Sequence, residues 1–523
     1  MTQAALARLR VCRALRHLAV TLLLAGPVGA QQAEVWRASL GSGFKRMVVT
    51  PTGSVLVESD SGLAAYDPVS GSQQWSRLDA SEYAIIEGTS LAVARVGQEQ
   101  RVIDLMTGTD QWRFSTLPLP NIKGYVALPA QGLLLVIGPT PSSGATVLGV
   151  RLDSGTVMWR QDSLFVGLIS DPKRAVLANR VPPLFDTDTT LILDTDEAGL
   201  LKLRLTDGSR LWSIPDSLVD LDKLTAPLTL GGGTIFVAYD KKLAAFDAAT
   251  GALRWNRHDK SPGPIQQLAV TPEGVVVGGA WMPMSKKPRT FIDFFDLATG
   301  ESRWRTAPQV HGASPFLVRN DTVFSPVNKG FRALVLATGK PLVEASLPDF
   351  GGGEEATTIE TMDDGDLLLI SAQNLMRLDP AGNVRYSRYL KAPGASFLAK
   401  FGSIALTVAA SQIPIASTEH GNLQVNTYLD PSGMAVSAFM ARYHATVNAN
   451  KFAYIFTSEL SAPDSGQERA GGFDLVRVDK ADGKDTGRIR LFDRTPDYVL
   501  DPVSGTIVVG IDRELIAYRY PQP

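Results

Sequence analysis

The chain has 523 residues, 44% of them hydrophobic and 20% charged, with a net charge of −2 and a pI near 6.3. That balance excludes both a disordered chain and the strongly basic surface that binds nucleic acid. The single cysteine, Cys12, excludes a disulfide framework, a thiolate metal site and a haem-attachment motif.

In chain order, the first feature is a leader. Arg8, Arg10, Arg13 and Arg16 precede an apolar run from Leu18 to Ala25, followed by Pro27-Val28-Gly29-Ala30. A basic start, a short apolar core and a small-residue end predict a secretory signal peptide over residues 1–30, cleaved after Ala30. The run is too short to span a bilayer as a helix, and no later stretch is long enough. Gln31 rather than Cys follows the cleavage point, so no lipid anchor is expected. The reading is an exported, soluble protein of the periplasm or cell envelope, whose charge becomes −6 when the four arginines leave.

The remainder, residues 31–523, reads as one repeat domain. It opens with "AEVWRASL", a strand carrying Trp36. Then comes "GLAAYDPVSGSQQW" (Gly62 to Trp75), a phrase nearly repeated as "KLAAFDAATGALRW" (Lys242 to Trp255). The pattern Asp-x-x-x-Gly-x-x-x-Trp occurs at Asp67/Gly71/Trp75, Asp104/Gly108/Trp112, Asp247/Gly251/Trp255 and Asp296/Gly300/Trp304. Without the Asp it recurs at Gly155/Trp159 and Gly208/Trp212, and weaker copies stand at Gly339/Val343, Gly382/Tyr386, Gly433/Ser437 and Gly483/Gly487.

The phrase predicts a β-hairpin. Apolar or alternating runs such as "RVIDL", "TVLGVRL" and "FIDFFDL" precede each Gly. The Asp carboxylate accepts the N–H two residues on, a Ser or Thr hydroxyl adds a weaker bond, and Gly supplies a positive φ. The strand after the Gly carries Trp, whose size suits a slot between neighbouring sheets. The Leu-Ala-Ala before the Asp suggests strands crowding toward an axis. Between Trp75 and Trp112, "YAIIEG", "LAVARVG", "QRVIDLM" and "DQWRF" make four strands, the content of one propeller blade. The chain ends "DYVLDP / GTIVVGID / RELIAYRYP", three strands that lack a fourth, while the Trp36 strand lacks the other three. Joined, they close a ring without a free edge. The expected fold is all-β: a β-propeller of four-stranded blades, at least eight of them, closed by the N-terminal strand. Counting every repeat, the weak ones included, gives eleven units.

The phrase Ala-x-Asp-x-x-Thr-Gly-x-x-x-Trp, as in "AAFDAATGALRW" and "AAYDPVSGSQQW", resembles the tryptophan-docking repeat of the quinoprotein-like propellers. That superfamily contains both pyrroloquinoline quinone (PQQ) dehydrogenases and the non-catalytic, BamB-type outer-membrane assembly propellers, and the likeness is greatest to the latter. The resemblance implies a scaffold, because a docking Trp is a packing residue. For a dehydrogenase it would imply a quinone against Ca²⁺ on the axis, held by Glu, Asn and Asp, with a Trp floor and often a disulfide of adjacent cysteines; this chain cannot form that disulfide.

Trp281 is the tryptophan outside the repeat, and it is read as covering a loop of its own blade. "FDTDTTLILDTDEAG" offers Asp186, Asp188, Asp194 and Asp196 as oxygen ligands for Ca²⁺, and "TMDDGD" offers Asp363, Asp364 and Asp366. Neither has EF-hand spacing. His258, His311, His420 and His444 are scattered, and no nucleophile motif is visible. "SELSAPDSGQERAGG" (Ser458 to Gly472) reads as a long surface loop and a candidate binding edge. The expected function is a non-catalytic extracytoplasmic interaction scaffold, with other envelope or secreted proteins as partners and no cofactor. The alternatives are a ligand-binding or sensor propeller and a PQQ- and Ca²⁺-dependent dehydrogenase.

Overall fold

A computed structural model describes residues 34–519 apart from 87, 140–144, 163, 166–183, 196–198, 258–260, 282–287, 311–314, 328, 393–445, 450, 459–471, 492–496 and 502. The described strands form ten antiparallel sheets of four successive strands, one of them with a short fifth strand, Gln309–Val310. We number these blades from the split one. Blade 1 comprises Asp497–Asp501, Thr506–Ile511, Glu514–Arg519 and, as fourth strand, Glu34–Ser39. Blades 2 to 10 then cover residues 44–77, 80–113, 124–161, 184–214, 229–257, 265–305, 317–346, 358–389 and 446–491.

The N-terminal strand pairs antiparallel with the last strand of the chain, Arg37 opposite Ile516 and Ala38 opposite Leu515. The split blade is therefore complete, and it covers two edges that would otherwise invite pairing with another chain. Every blade-to-blade junction has its own apolar core. Leu56, Ala65 and Ile103 pack blade 2 on blade 3; Leu135, Val147 and Leu201 pack blade 4 on blade 5; Ile455, Val476 and Leu368 pack blade 9 on blade 10. The last junctions, Phe456 and Leu475 with Ile507 and Val509, and Val508 and Leu515 with Val55 and Val57, close a single ring. Middle strands are buried on both faces, as in Leu133–Gly138 and Thr234–Tyr239, and this explains why they read as unbroken apolar runs.

The ten blades formed by the described residues exceed the minimum of eight and are one fewer than the eleven units counted in the sequence. The missing unit is the Gly433/Ser437 copy, which lies outside the described residues. The weak copies at Gly339 and Gly483 are regular four-stranded blades. One expectation is corrected: Leu63-Ala64-Ala65 belongs to the third strand of blade 2, not to a strand at the axis. The first strands of neighbouring blades are the ones that converge, as Phe44–Val49 does on Asp497–Asp501. In blades 2 and 6 the Trp covers a small residue of the third strand, Ala65 opposite Trp75 and Ala245 opposite Trp255, whereas Val102, Lys202 and Phe294 hold that place opposite Trp112, Trp212 and Trp304.

Candidate functional site

The repeat phrase builds the rim of the ring. In the turn between third and fourth strands, Asp67 Oδ1 accepts the N–H groups of Val69 and Ser70 at 3.0 and 2.7 Å and the Ser70 hydroxyl at 2.9 Å. Asp104, Asp247 and Asp296 do the same. Three of these carboxyls, Asp67, Asp247 and Asp296, are held below the ordinary carboxylate range. The N–H of Ser70 leads in lowering Asp67; Arg303, then the Thr299 N–H, hold Asp296 at about 2; and Arg254, then the Thr250 hydroxyl, push Asp247 well below the usual range.

Each indole docks on the following blade. Trp36 Nε1 donates to Pro68 O at 2.9 Å, Trp75 to Leu105 O at 2.9 Å, Trp112 to Leu152 O at 2.9 Å and Trp159 to Leu205 O at 2.8 Å. Trp212, Trp255 and Trp304 continue the series to Ala248, Leu297 and Leu336 at 3.1, 3.1 and 2.6 Å. The same rings lie over Gly71, Gly108, Gly155, Gly208, Gly251, Gly300 and Gly339. A methyl group on Gly108 would sit 2.6 Å from the Trp75 ring, so the glycine is needed for close approach as well as for its φ of +71°. The glycine and tryptophan of one phrase are thus not partners.

A second clasp went unread in the sequence. Two residues after the Trp, a long polar side chain reaches the next turn: Arg77 to Gly108 O at 3.3 Å and to Asp110, Gln161 to Asp207 O at 2.8 Å, and Arg257 to Gly300 O at 2.6 Å. The recurring "WSR", "WRQ" and "WNR" were its signal.

The other candidates fall as follows. Asp186 is ion-paired with the buried Lys202, whose ammonium also donates to Ala248 O of the next blade at 2.7 Å. Asp188 is in the turn beyond it; Asp194 is buried on the adjacent strand opposite Leu200; Asp196 lies outside the described residues. Asp186 lies beside Thr190 and Leu191 of that strand, and Ile192 and Leu193 stand between these and Asp194. Asp364 and Asp366 bind the guanidinium of Arg377, the latter at 2.9 Å, and exposed Asp363 stands beside them. Among the described residues no three His, Cys, Asp or Glu side chains are grouped as a metal ion requires. Trp281 ends a strand of blade 7 and packs, half buried, 6.1 Å from the ring of Phe291, in the core shared with blade 6 and against Gly263 of the loop before the blade's first strand. The four histidines and residues 459–471 of the long loop lie outside the described residues.

Because successive strands run antiparallel, the first-to-second and third-to-fourth turns lie on one face of the ring. On blades 1 to 3, the turns Thr50–Ser54, Asp67–Ser72, Asp104–Thr109 and 501–505 contain no charged residue except Asp67, Asp104 and Asp501, while the sequence of turn 87–90 adds Glu87 and Arg519 donates to Val69 O at 3.5 Å. All three carboxylates are turned back onto their own N–H groups. The apolar side chains of Val69, Met106 and Val503 project from these turns, the last 90% exposed. Farther round, Arg254 and Arg303 pair with Asp247 and Asp296 and, with Pro272, Glu273, Leu297 and Ala298, line a shallow open cavity of about 360 Å³. A face with apolar projections, whose turn carboxylates are already bonded to backbone N–H groups, is suited to a protein partner; the shallow cavity has no convergent set of reactive groups.

These features define a β-propeller of tryptophan-docked, PQQ-type repeats. Comparison places it near one kind of propeller in particular. A family model described as "Outer membrane protein assembly factor BamB" matches residues 97–342, which run from blade 3 to blade 8. The outer membrane protein assembly factor BamB of Burkholderia pseudomallei (strain K96243) is 24% identical over 289 residues, covering 52% of this chain and 68% of that protein. Among solved structures, BamB from Moraxella catarrhalis is 16% identical, with 68% of this chain and 98% of that chain covered and a TM-score of 0.31. Quinohemoprotein alcohol dehydrogenase from Comamonas testosteroni is 14% identical, with 79% and 81% covered and a TM-score of 0.32. The chain is a PQQ-repeat propeller similar to BamB. Among its described residues no helix is long and apolar enough to cross a membrane.

Proposed function

We propose that the protein is a non-catalytic interaction scaffold of the cell envelope that works in outer-membrane protein assembly. The observation that carries this reading is the similarity to BamB across residues 97–342. The organisation of the repeat supports it: the Asp, Gly and Trp residues are spent on turns and on joining blades, and Asp186, Asp364 and Asp366 on cations. The face around Val69, Met106 and Val503, where Asp67, Asp104 and Asp501 are bonded within their own turns, is the surface we assign to the partner, since apolar side chains ringed by satisfied polar groups are the usual anatomy of a protein interface. The protein is exported through its leader and takes no quinone.

A photo-crosslinking residue placed at Met106 or Val503 in intact cells tests this. Adducts with proteins of the outer-membrane assembly machinery are expected. Adducts with none of them, at either position, would overturn the reading. A calorimetric titration with PQQ, with and without Ca²⁺, is the companion measurement; no heat of binding is expected, and tight Ca²⁺-dependent binding would point to a dehydrogenase.

A further inference from the structure

Docking is not uniform around the ring. Blades 1 to 8 meet at seven junctions, and each carries an indole donating to the next blade. Blades 9 and 10 are joined in the same style by Tyr386, whose hydroxyl donates to Lys480 O at 2.7 Å and whose ring covers Gly483. Three further bonds tie this pair: Arg377 to Ala481 O at 2.6 Å, Arg388 to Asp485 at 2.9 Å, and Lys480 to Glu360 at 3.1 Å.

The remaining two junctions lack the docking aromatic. Between blades 8 and 9, Val343 holds the docking register opposite Ala333. The receiving turn of blade 9 is one residue shorter, with the Gly382 N–H on Asp379 O, and Gly382 faces the methyl of Ala345. Between blades 10 and 1, Gly487 holds the register opposite Arg477. Blade 1 has no turn to receive an aromatic there, because its third and fourth strands come from distant parts of the sequence. The docking aromatic is thus missing at these two places and present at the other eight junctions, and the receiving turn is shortened at the first and absent at the second. Both seams keep an apolar core, around Phe331 and Leu369 at one and Phe456 and Val509 at the other, so the ring is closed at rest. Arg319, on the first strand of blade 8, donates to Gly365 O of blade 9 at 3.0 Å and ties the first seam near the axis.

We infer that the ring consists of two clasped blocks, blades 1–8 and blades 9–10, and that it opens at the two seams, with blades 9 and 10 moving as one unit. Opening begins at the outer rim, where the clasp is missing, and pivots on the inner strands. Local opening of this kind follows the weakest cooperative boundary in a fold, and the boundary here is set by chemistry at named positions.

Single buried cysteines in a Cys12→Ser background test it. Ala333→Cys reports on the 8/9 seam and Val509→Cys on the 10/1 seam; Ala94→Cys, Ala245→Cys and Ala453→Cys report on the docked junctions 2/3, 6/7 and 9/10. Under native conditions both seam thiols should react with a thiol reagent at least about tenfold faster than the three controls, the ratio that about 1.4 kcal/mol of easier local opening gives. Equal rates at all five sites would overturn the inference, as would a 9/10 thiol as fast as those at the seams. Native-state hydrogen exchange on the unsubstituted chain should rank the same junctions in the same order, and it decides the matter if a cysteine variant does not fold.

Discussion

Trp75 donates its indole N–H to the carbonyl of Leu105 at 2.9 Å while its ring lies on Gly108, so one side chain of blade 2 meets both a polar and a steric requirement of blade 3. The coupling should be measurable. Gly108→Ala forces a methyl against the ring at a φ of +71°. Overpacking costs about 1–3 kcal/mol and the backbone strain about 1–3 kcal/mol. In a Trp75→Ala background the steric part vanishes. A double-mutant cycle from urea unfolding should therefore give a coupling of about 1 kcal/mol or more. Additive effects would mean that the ring does not hold that glycine.

Trp112 is the best buried of the docking indoles, stacked on Phe114 at 4.9 Å between rings. Trp112→Ala should destabilise by about 3–5 kcal/mol, the range for deleting a large buried aromatic side chain. Trp112→Phe keeps most of the contact and loses the bond to Leu152 O, leaving a carbonyl unsatisfied at a cost of about 1–3 kcal/mol. The ordering of the two thermal midpoints, with the alanine variant lower, is the check.

The phrase that carries this device was legible in the sequence because it is local: Asp, Gly and Trp recur at fixed offsets, and hairpin chemistry explains each. Ring closure was legible too, because Trp36 sat in a strand without a blade. The docking partner was not. Trp112 and Leu152 lie 40 residues apart, and no offset within a phrase says that an indole serves the next turn rather than its own. Asp186 looked like a metal ligand because sequence shows only that acids cluster; its cation, Lys202, comes from another strand of the blade. The Arg377 network was invisible for the same reason.

That network gives a further prediction. Arg377, largely buried, holds Asp366 at 2.9 Å and also Asp364, and crosses to Ala481 O of blade 10. Arg377→Met leaves the buried Asp366 with only Arg385 at 3.4 Å, and should cost about 3–5 kcal/mol. Arg377→Lys should recover only part of this, because an ammonium cannot bind two carboxylates and a carbonyl in one plane. Unfolding of both variants in urea tests the ranking. A methionine variant as stable as the parent would show that the network has no net effect.

Acid should weaken the rim in a defined window. The Arg303 guanidinium and the Thr299 N–H hold the Asp296 carboxyl at about 2, and the Arg151 guanidinium and the Ser154 hydroxyl hold Asp153 at about 2, against an ordinary value of 3.8. A carboxyl lowered in the folded state contributes stability that is complete above its unfolded value and is lost as pH falls through the folded one. Asp293 works in the opposite sense: burial raises it despite Arg305, so its contribution declines as pH rises past 3.8. Asp296→Asn keeps the turn's acceptor and removes the charge. The variant should therefore be less stable than the parent at neutral pH, with the gap in thermal midpoint closing between about pH 4 and pH 2. A gap that stays constant down to pH 2 would show that the loss comes from turn geometry rather than from the ionised pair with Arg303.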